Sequence, residues 1–138
     1  MDLRKEVEAR LRFNLLPKGQ FNEQICDKKT IVLHHTAGGS ADSSIAGWIK
    51  DVSPVATPFI IERDGVIVQS YPSKFWAYSL GVATANYTQL EKQSIPIELA
   101  SYGYLTFKGG VYYNAYGGVV KKENVCILDK PFRGQRYF

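Results

Sequence analysis

Residues 31–40, IVLHHTAGGS, decide how the rest of the chain is read. Ile31, Val32 and Leu33 form an unbroken apolar run, the pattern of a strand covered on both faces, so Thr30–His35 is expected as a strand in the middle of a sheet. That strand delivers His34 and His35, the two histidines of the chain, into a loop of small residues. Side chains alternate along a strand, so the two imidazoles point to opposite faces and cannot grip one metal together. The C-terminal end of a strand opening into a loop is where open sheets place ligand sites. His34 is therefore a candidate metal ligand, a neutral imidazole suiting Zn²⁺, set against the commoner structural role of a single histidine.

Downstream, Ser40 or Asp42 can cap a helix whose Ile45, Trp48 and Ile49 share one face, with Pro54 marking its end. Residues 58–71, PFIIERDGVIVQSY, alternate and turn at Asp64-Gly65, a hairpin signal. Lys74–Gln93 lacks regular periodicity and reads as an irregular loop. SIPIEL, residues 94–99, is a further strand, and it carries Glu98 in an apolar setting. With Ile95, Ile97 and Leu99 packed inward, Glu98 faces solvent or sits in a cleft with a raised pKa, as a general base requires. A second hairpin is expected around Gly109-Gly110, then a strand over 125–128 and the tail PFRGQRYF. Upstream, Leu3, Val7, Leu11 and Leu15 recur at helical spacing, ended by Pro17 and Gly19. The aromatics between Tyr71 and Tyr116, Trp76 among them, suit either a groove for sugar or peptide or plain strand packing.

A length of 138 residues fits one domain. Hydrophobic residues make up 45% and charged residues 22%, and no apolar run approaches the roughly 20 residues of a membrane span, so a soluble protein without a membrane span is expected. The N-terminus interleaves charges with its leucines and lacks the apolar core of a secretory signal. Cys26 and Cys126 have no paired spacing and are expected as buried free thiols. The net charge of +4 is scattered and mild, which suits a solvated basic face and argues against nucleic acid as a partner.

The ordered set IVLHHTAGG, a helix, TPFIIERDGVIVQ, WAYSLG and SIPIEL resembles the zinc-dependent N-acetylmuramoyl-L-alanine amidases, the type 2 amidases related to peptidoglycan recognition proteins. The likeness runs from about Leu16 to Phe138, which divides the chain into an N-terminal helical extension, 1–16, and an amidase-like domain, 17–138. It implies an α/β fold with a mixed central sheet flanked by helices. It implies Zn²⁺ on His34, with His35 at a variable position, and Glu98 as the base that handles the proton of the attacking water. The bond cut would join the lactyl group of N-acetylmuramic acid to the L-alanine of the stem peptide. His35, Thr36, Thr57, Trp76 and Ser79 fall at or beside the positions that meet substrate in such a fold. The partner would be peptidoglycan or a muropeptide, met in the cell wall by a protein made in the cytoplasm, of the kind phages encode.

The chain departs from that pattern in ways that matter chemically. Family members complete the metal site with a second histidine and a cysteine or aspartate near the C-terminus, and no third histidine exists in this chain. The sequence is therefore read as the N-terminal part of an amidase domain, lacking the usual C-terminal helix, with one sheet face left for a partner or a missing segment to cover. Cys126 and Asp129 are the substitute ligands to consider. Ser79 stands where relatives often carry a substrate-facing histidine, and Thr57 where some place a tyrosine. Pro96 replaces a glycine and removes a ladder hydrogen bond, which favours an edge position. A non-catalytic peptidoglycan-binding module, or a phage structural module of the same fold, is the alternative to an amidase.

Overall fold

A computed structural model describes residues 2–138. In chain order the elements are α1 (Leu3–Arg10), β1 (Leu11–Phe13), β2 (Thr30–His35), α2 (Ala41–Lys50), β3 (Phe59–Ile61), β4 (Ile67–Gln69), α3 (Tyr87–Gln93) and β5 (Ser94–Leu99). They continue with β6 (Thr106–Lys108), β7 (Val111–Tyr113), β8 (Val119–Val120), β9 (Ile127–Phe132) and β10 (Gln135–Tyr137). The main sheet has five strands in the order β1-β4-β3-β5-β2. β2 and β5 run parallel, as do β3 and β5 and β1 and β4, whereas β3 and β4 form the antiparallel hairpin about Asp64-Gly65. The α/β class and the mixed sheet are as anticipated.

Paired residues on neighbouring strands project to the same face. The register therefore lines up Arg12, Val68, Ile60, Glu98 and His34 in one row across the whole sheet. This is the covered face. Ile60 and Val68 are completely buried there and join Ile45 and Ala41 of α2, with Leu16, Tyr71 and Ala77, in the main core. Burying side chains of that size stabilises by roughly 1.5–3 kcal/mol each. α2 is held at its start by the Ser40 hydroxyl, which accepts from Ser43 N at 3.2 Å. The Ala41 amide donates to Glu62 Oε1 at 2.8 Å, placing a carboxylate at the positive end of the helix dipole.

Three expectations change. β2 is the edge strand of the sheet, not a central one, and its Ile31 and Leu33 are 66% and 64% exposed. The apolar run that reads as a doubly buried strand instead shows one face to the core side and one to open surroundings. Ile95, Ile97 and Leu99 share that open face, so it is Glu98 and not the isoleucines that turns toward the core. Second, the N-terminal helix ends at Arg10, because Leu11–Phe13 leave it to pair with β4 in parallel. Third, the stretch read as an irregular loop closes with α3, anchored by the buried Glu91. Pro96 sits in β5 one residue before β3 begins its pairing at Ile97, so at that point β5 has β2 alone as a neighbour. The edge expected for the proline is thus a local one.

The last 38 residues fold as two small antiparallel sheets, β6-β7-β8 and β9-β10, around Leu105, Tyr112 and Val120. Gly109 and Gly110 make the two-residue β6–β7 turn, with φ of 59° and 82°. Both values lie in the left-handed region a type I′ turn demands, which glycine reaches without strain. The tail holds a hairpin of its own, turning at Arg133-Gly134. Among the described residues no α-helix follows Gln93. Both cysteines are free, as expected, but Cys26 is half-buried and Cys126 exposed.

Candidate functional site

His34 and Glu98 face each other directly across the parallel pair β2–β5, on the covered side of the sheet. Each carries one buried polar atom without a hydrogen-bond partner, Nε2 of His34 and Oε2 of Glu98. An orphaned buried group costs about 1–3 kcal/mol; Gln20, Asn22 and Tyr71 carry such atoms as well, and His34 and Glu98 are the two that are cross-strand neighbours. Desolvation raises the Glu98 pKa above the ordinary carboxylate range, the direction a general base needs. β5 supplies Glu98 from between β2 and β3, and the core residue Ile60 is its other cross-strand neighbour. One wall of the pair is therefore rigid and apolar.

The other sequence candidates fall into different settings. His35 lies on the opposite, exposed face, packed against the backbone of Gly103. Thr36 ends the strand as a clamp: its hydroxyl accepts from Gly38 N at 3.1 Å and Ser101 N at 3.2 Å, and lies 3.0 Å from Gly38 O and 3.3 Å from Ser101 O. Thr57 is buried, its hydroxyl donating to Phe59 O at 3.1 Å. Trp76 is buried and donates from its indole to Gln24 Oε1 at 3.3 Å. Ser79 is occupied by Glu91, which accepts from the Ser79 amide and hydroxyl, both at 3.0 Å, and from Leu80 N at 2.9 Å. Of the candidates, only His34 and Glu98 are brought together with free polar atoms.

Just beyond the strand a depression of about 330 Å³ is lined by Thr36, Gly38, Gly39, Ser43, Ser44 and Tyr102. It opens where the β2 end was expected to present a ligand groove. Tyr102 belongs to the aromatic set expected to line a groove or to pack, and it takes the groove side here; sequence reasoning missed the Arg63 guanidinium stacked 4.5 Å above its ring. The signal was available only as an aromatic and a cation 39 positions apart, which no local pattern connects.

A catalytic zinc typically takes three protein ligands and a water. His34 Nε2 is a suitable first donor, and Glu98 stands beside it. Among the described residues, however, no group of three histidine, cysteine, aspartate or glutamate side chains is placed to hold a metal ion. Cys126 and Asp129 lie in the C-terminal sheets, where the Cys126 backbone pairs with that of Phe138, and they do not complete a set with His34. The residues present thus do not by themselves fit a complete catalytic zinc site.

The fold is shared with solved structures. The chain superposes on PlyL with a TM-score of 0.54 at 18% identity, over 66% of this chain and 57% of that one. The PlyG catalytic domain gives 0.52 at 18% identity, over 65% and 55%. A complex of the N-acetylmuramyl-L-alanine amidase AmiD from E. coli with an anhydro-muropeptide substrate gives 0.45 at 28% identity, over 70% and 39%. The chain thus spans a little over half the length of PlyL and of the PlyG domain. No family model and no curated protein matches the sequence.

Proposed function

We propose that this chain carries the His–Glu half of a peptidoglycan amidase site, acting on the amide between N-acetylmuramic acid and the L-alanine of the stem peptide. The observation that carries the reading is the pair of orphaned atoms, His34 Nε2 and Glu98 Oε2, side by side on one face of a fold shared with PlyL. Glu98, with its pKa raised by burial, takes a proton from water at Oε2 and passes it to the leaving amine. His34 Nε2 stands on the other side of the pair, and the buried Ile60 covers one flank of Glu98. Zinc would use His34 Nε2 as one ligand and would supply Lewis-acid polarisation of the amide carbonyl.

The incomplete donor set favours a second reading, a module of the same fold that holds muropeptide without cutting it. Stem-peptide release from purified sacculi, with metal analysis of the same preparation, separates the two. The amidase reading expects release by the wild type, a loss of about 10²–10⁴-fold in Glu98→Gln, and a comparable loss with depleted zinc in His34→Ala. Sedimentation with sacculi and no release by any of the three supports the binding module. Equal release by all three removes both residues from the chemistry.

A further inference from the structure

The charge of the chain is divided unevenly. Residues 1–100 hold eleven cationic and eleven anionic side chains, whereas Lys108, Lys121, Lys122, Lys130, Arg133 and Arg136 are opposed in residues 101–138 only by Glu123 and Asp129. The entire net charge of +4 therefore sits on residues 101–138, the small C-terminal sheets and their connections, and all six of those cations are exposed, Lys121 lying 3.9 Å from Glu123. The β6-β7-β8 sheet also has two unlike faces. Phe107, Tyr112 and Val120 share the inner face, where the Phe107 and Tyr112 ring centroids are 4.7 Å apart and Tyr137 completes the cluster. Thr106, Tyr113 and Val119 share the outer face. There a depression of about 610 Å³ is lined by Thr106, Lys108, Gly109, Tyr113 and Gly117. Both glycines have open space where a side chain would stand, so the trough is unobstructed at its turns.

We infer that this outer face is a second binding site, distinct from the His34–Glu98 pair, for a sugar–phosphate polymer of the cell wall. Tyr113 offers a half-buried ring against which a sugar can lie, Thr106 a hydroxyl for its hydroxyls, and Lys108 a cation for the acid group beside it. The remaining cations, spread over the same 38 residues, match an anion that recurs along a chain better than a single charged group. The inference depends on the peptidoglycan reading only for where such a polymer would be met.

The test is co-sedimentation of the full chain with sacculi that retain phosphate-linked polymers and with the same sacculi stripped by hydrofluoric acid. Stripping is expected to weaken wild-type binding about tenfold, as is a tenfold rise in ionic strength. Lys108→Glu and Tyr113→Ala should each lose about fivefold on intact sacculi, change nothing on stripped ones, and leave stem-peptide release from stripped sacculi untouched. Lys108 is exposed, so its variant decides the matter even if Tyr113→Ala fails to fold. Equal wild-type binding to both preparations, or tighter binding to duplex DNA than to intact sacculi, overturns the inference. Polymer binding without any stem-peptide release overturns the amidase reading and leaves this one standing.

Discussion

Glu98 is where a single side chain is held at a cost to stability. Its pKa is raised in the folded protein, so the carboxylate form is disfavoured there relative to the unfolded chain. The penalty is absent at pH below the ordinary carboxylate value of about 4.3, and it grows as pH climbs through the raised native value. Glu98→Gln is therefore expected to melt higher than wild type at pH 7 in chelator-treated buffer, by on the order of 2 °C given its partial exposure. The difference should vanish near pH 4, and a variant melting lower at neutral pH would show that the carboxylate is held by a partner. Both members of the pair were legible in the sequence, because a strand ending in a histidine and a strand interrupted by a glutamate each break an apolar pattern. What the pattern does not carry is which face each strand buries, since SIPIEL alternates equally well either way. Only the register with Ile60 settles that Glu98 turns inward.

Among the elements, those with strong local chemistry were readable and those held by distant partners were not. Ser40 capping α2, the Asp64-Gly65 hairpin and the Gly109-Gly110 turn each need a particular residue at a particular backbone geometry, and they form as anticipated. Ser40→Ala is expected to cost about 1 kcal/mol in denaturant unfolding. α3 was not legible: it is seven residues long, begins at Asn86 without a side-chain cap, and stands because Glu91 reaches back to Ser79 and Leu80. That clamp is buried, so Glu91→Ala leaves donors unpaired and should cost about 2–4 kcal/mol, with the greatest loss of hydrogen-exchange protection over residues 78–93. An effect below about 0.5 kcal/mol would assign α3 to packing instead. β1 escaped notice for a related reason: three residues carry no period, and its parallel partner lies 56 positions away.

For the molecule as a whole, the open face of the main sheet is the dominant surface feature. Ile31 and Leu33 are each more than 60% exposed there and Leu99 41%, an apolar patch along β2 and β5 of the kind that marks an interaction site, while Phe13 is exposed at the opposite edge of the sheet beyond Gln69. Leu33→Lys should lower binding of an apolar dye severalfold while leaving the melting temperature within about 2 °C, because Leu33 makes little core contact. A large loss of stability would mean the residue is already covered in solution. The α/β class was readable because strand and helix signals alternate, but the edge position of β2 was not, since an apolar run predicts burial and does not say by what. The exposed Cys126 gives this architecture a practical asymmetry. Its thiol lies on the basic end of the molecule, and Cys26, half-buried beside Gln24, is the more sheltered of the two. A maleimide fluorophore should therefore attach first at Cys126, which shares a depression with Arg63, Ser101 and Tyr102, and so report optically on whatever settles between the C-terminal sheets and the end of β5.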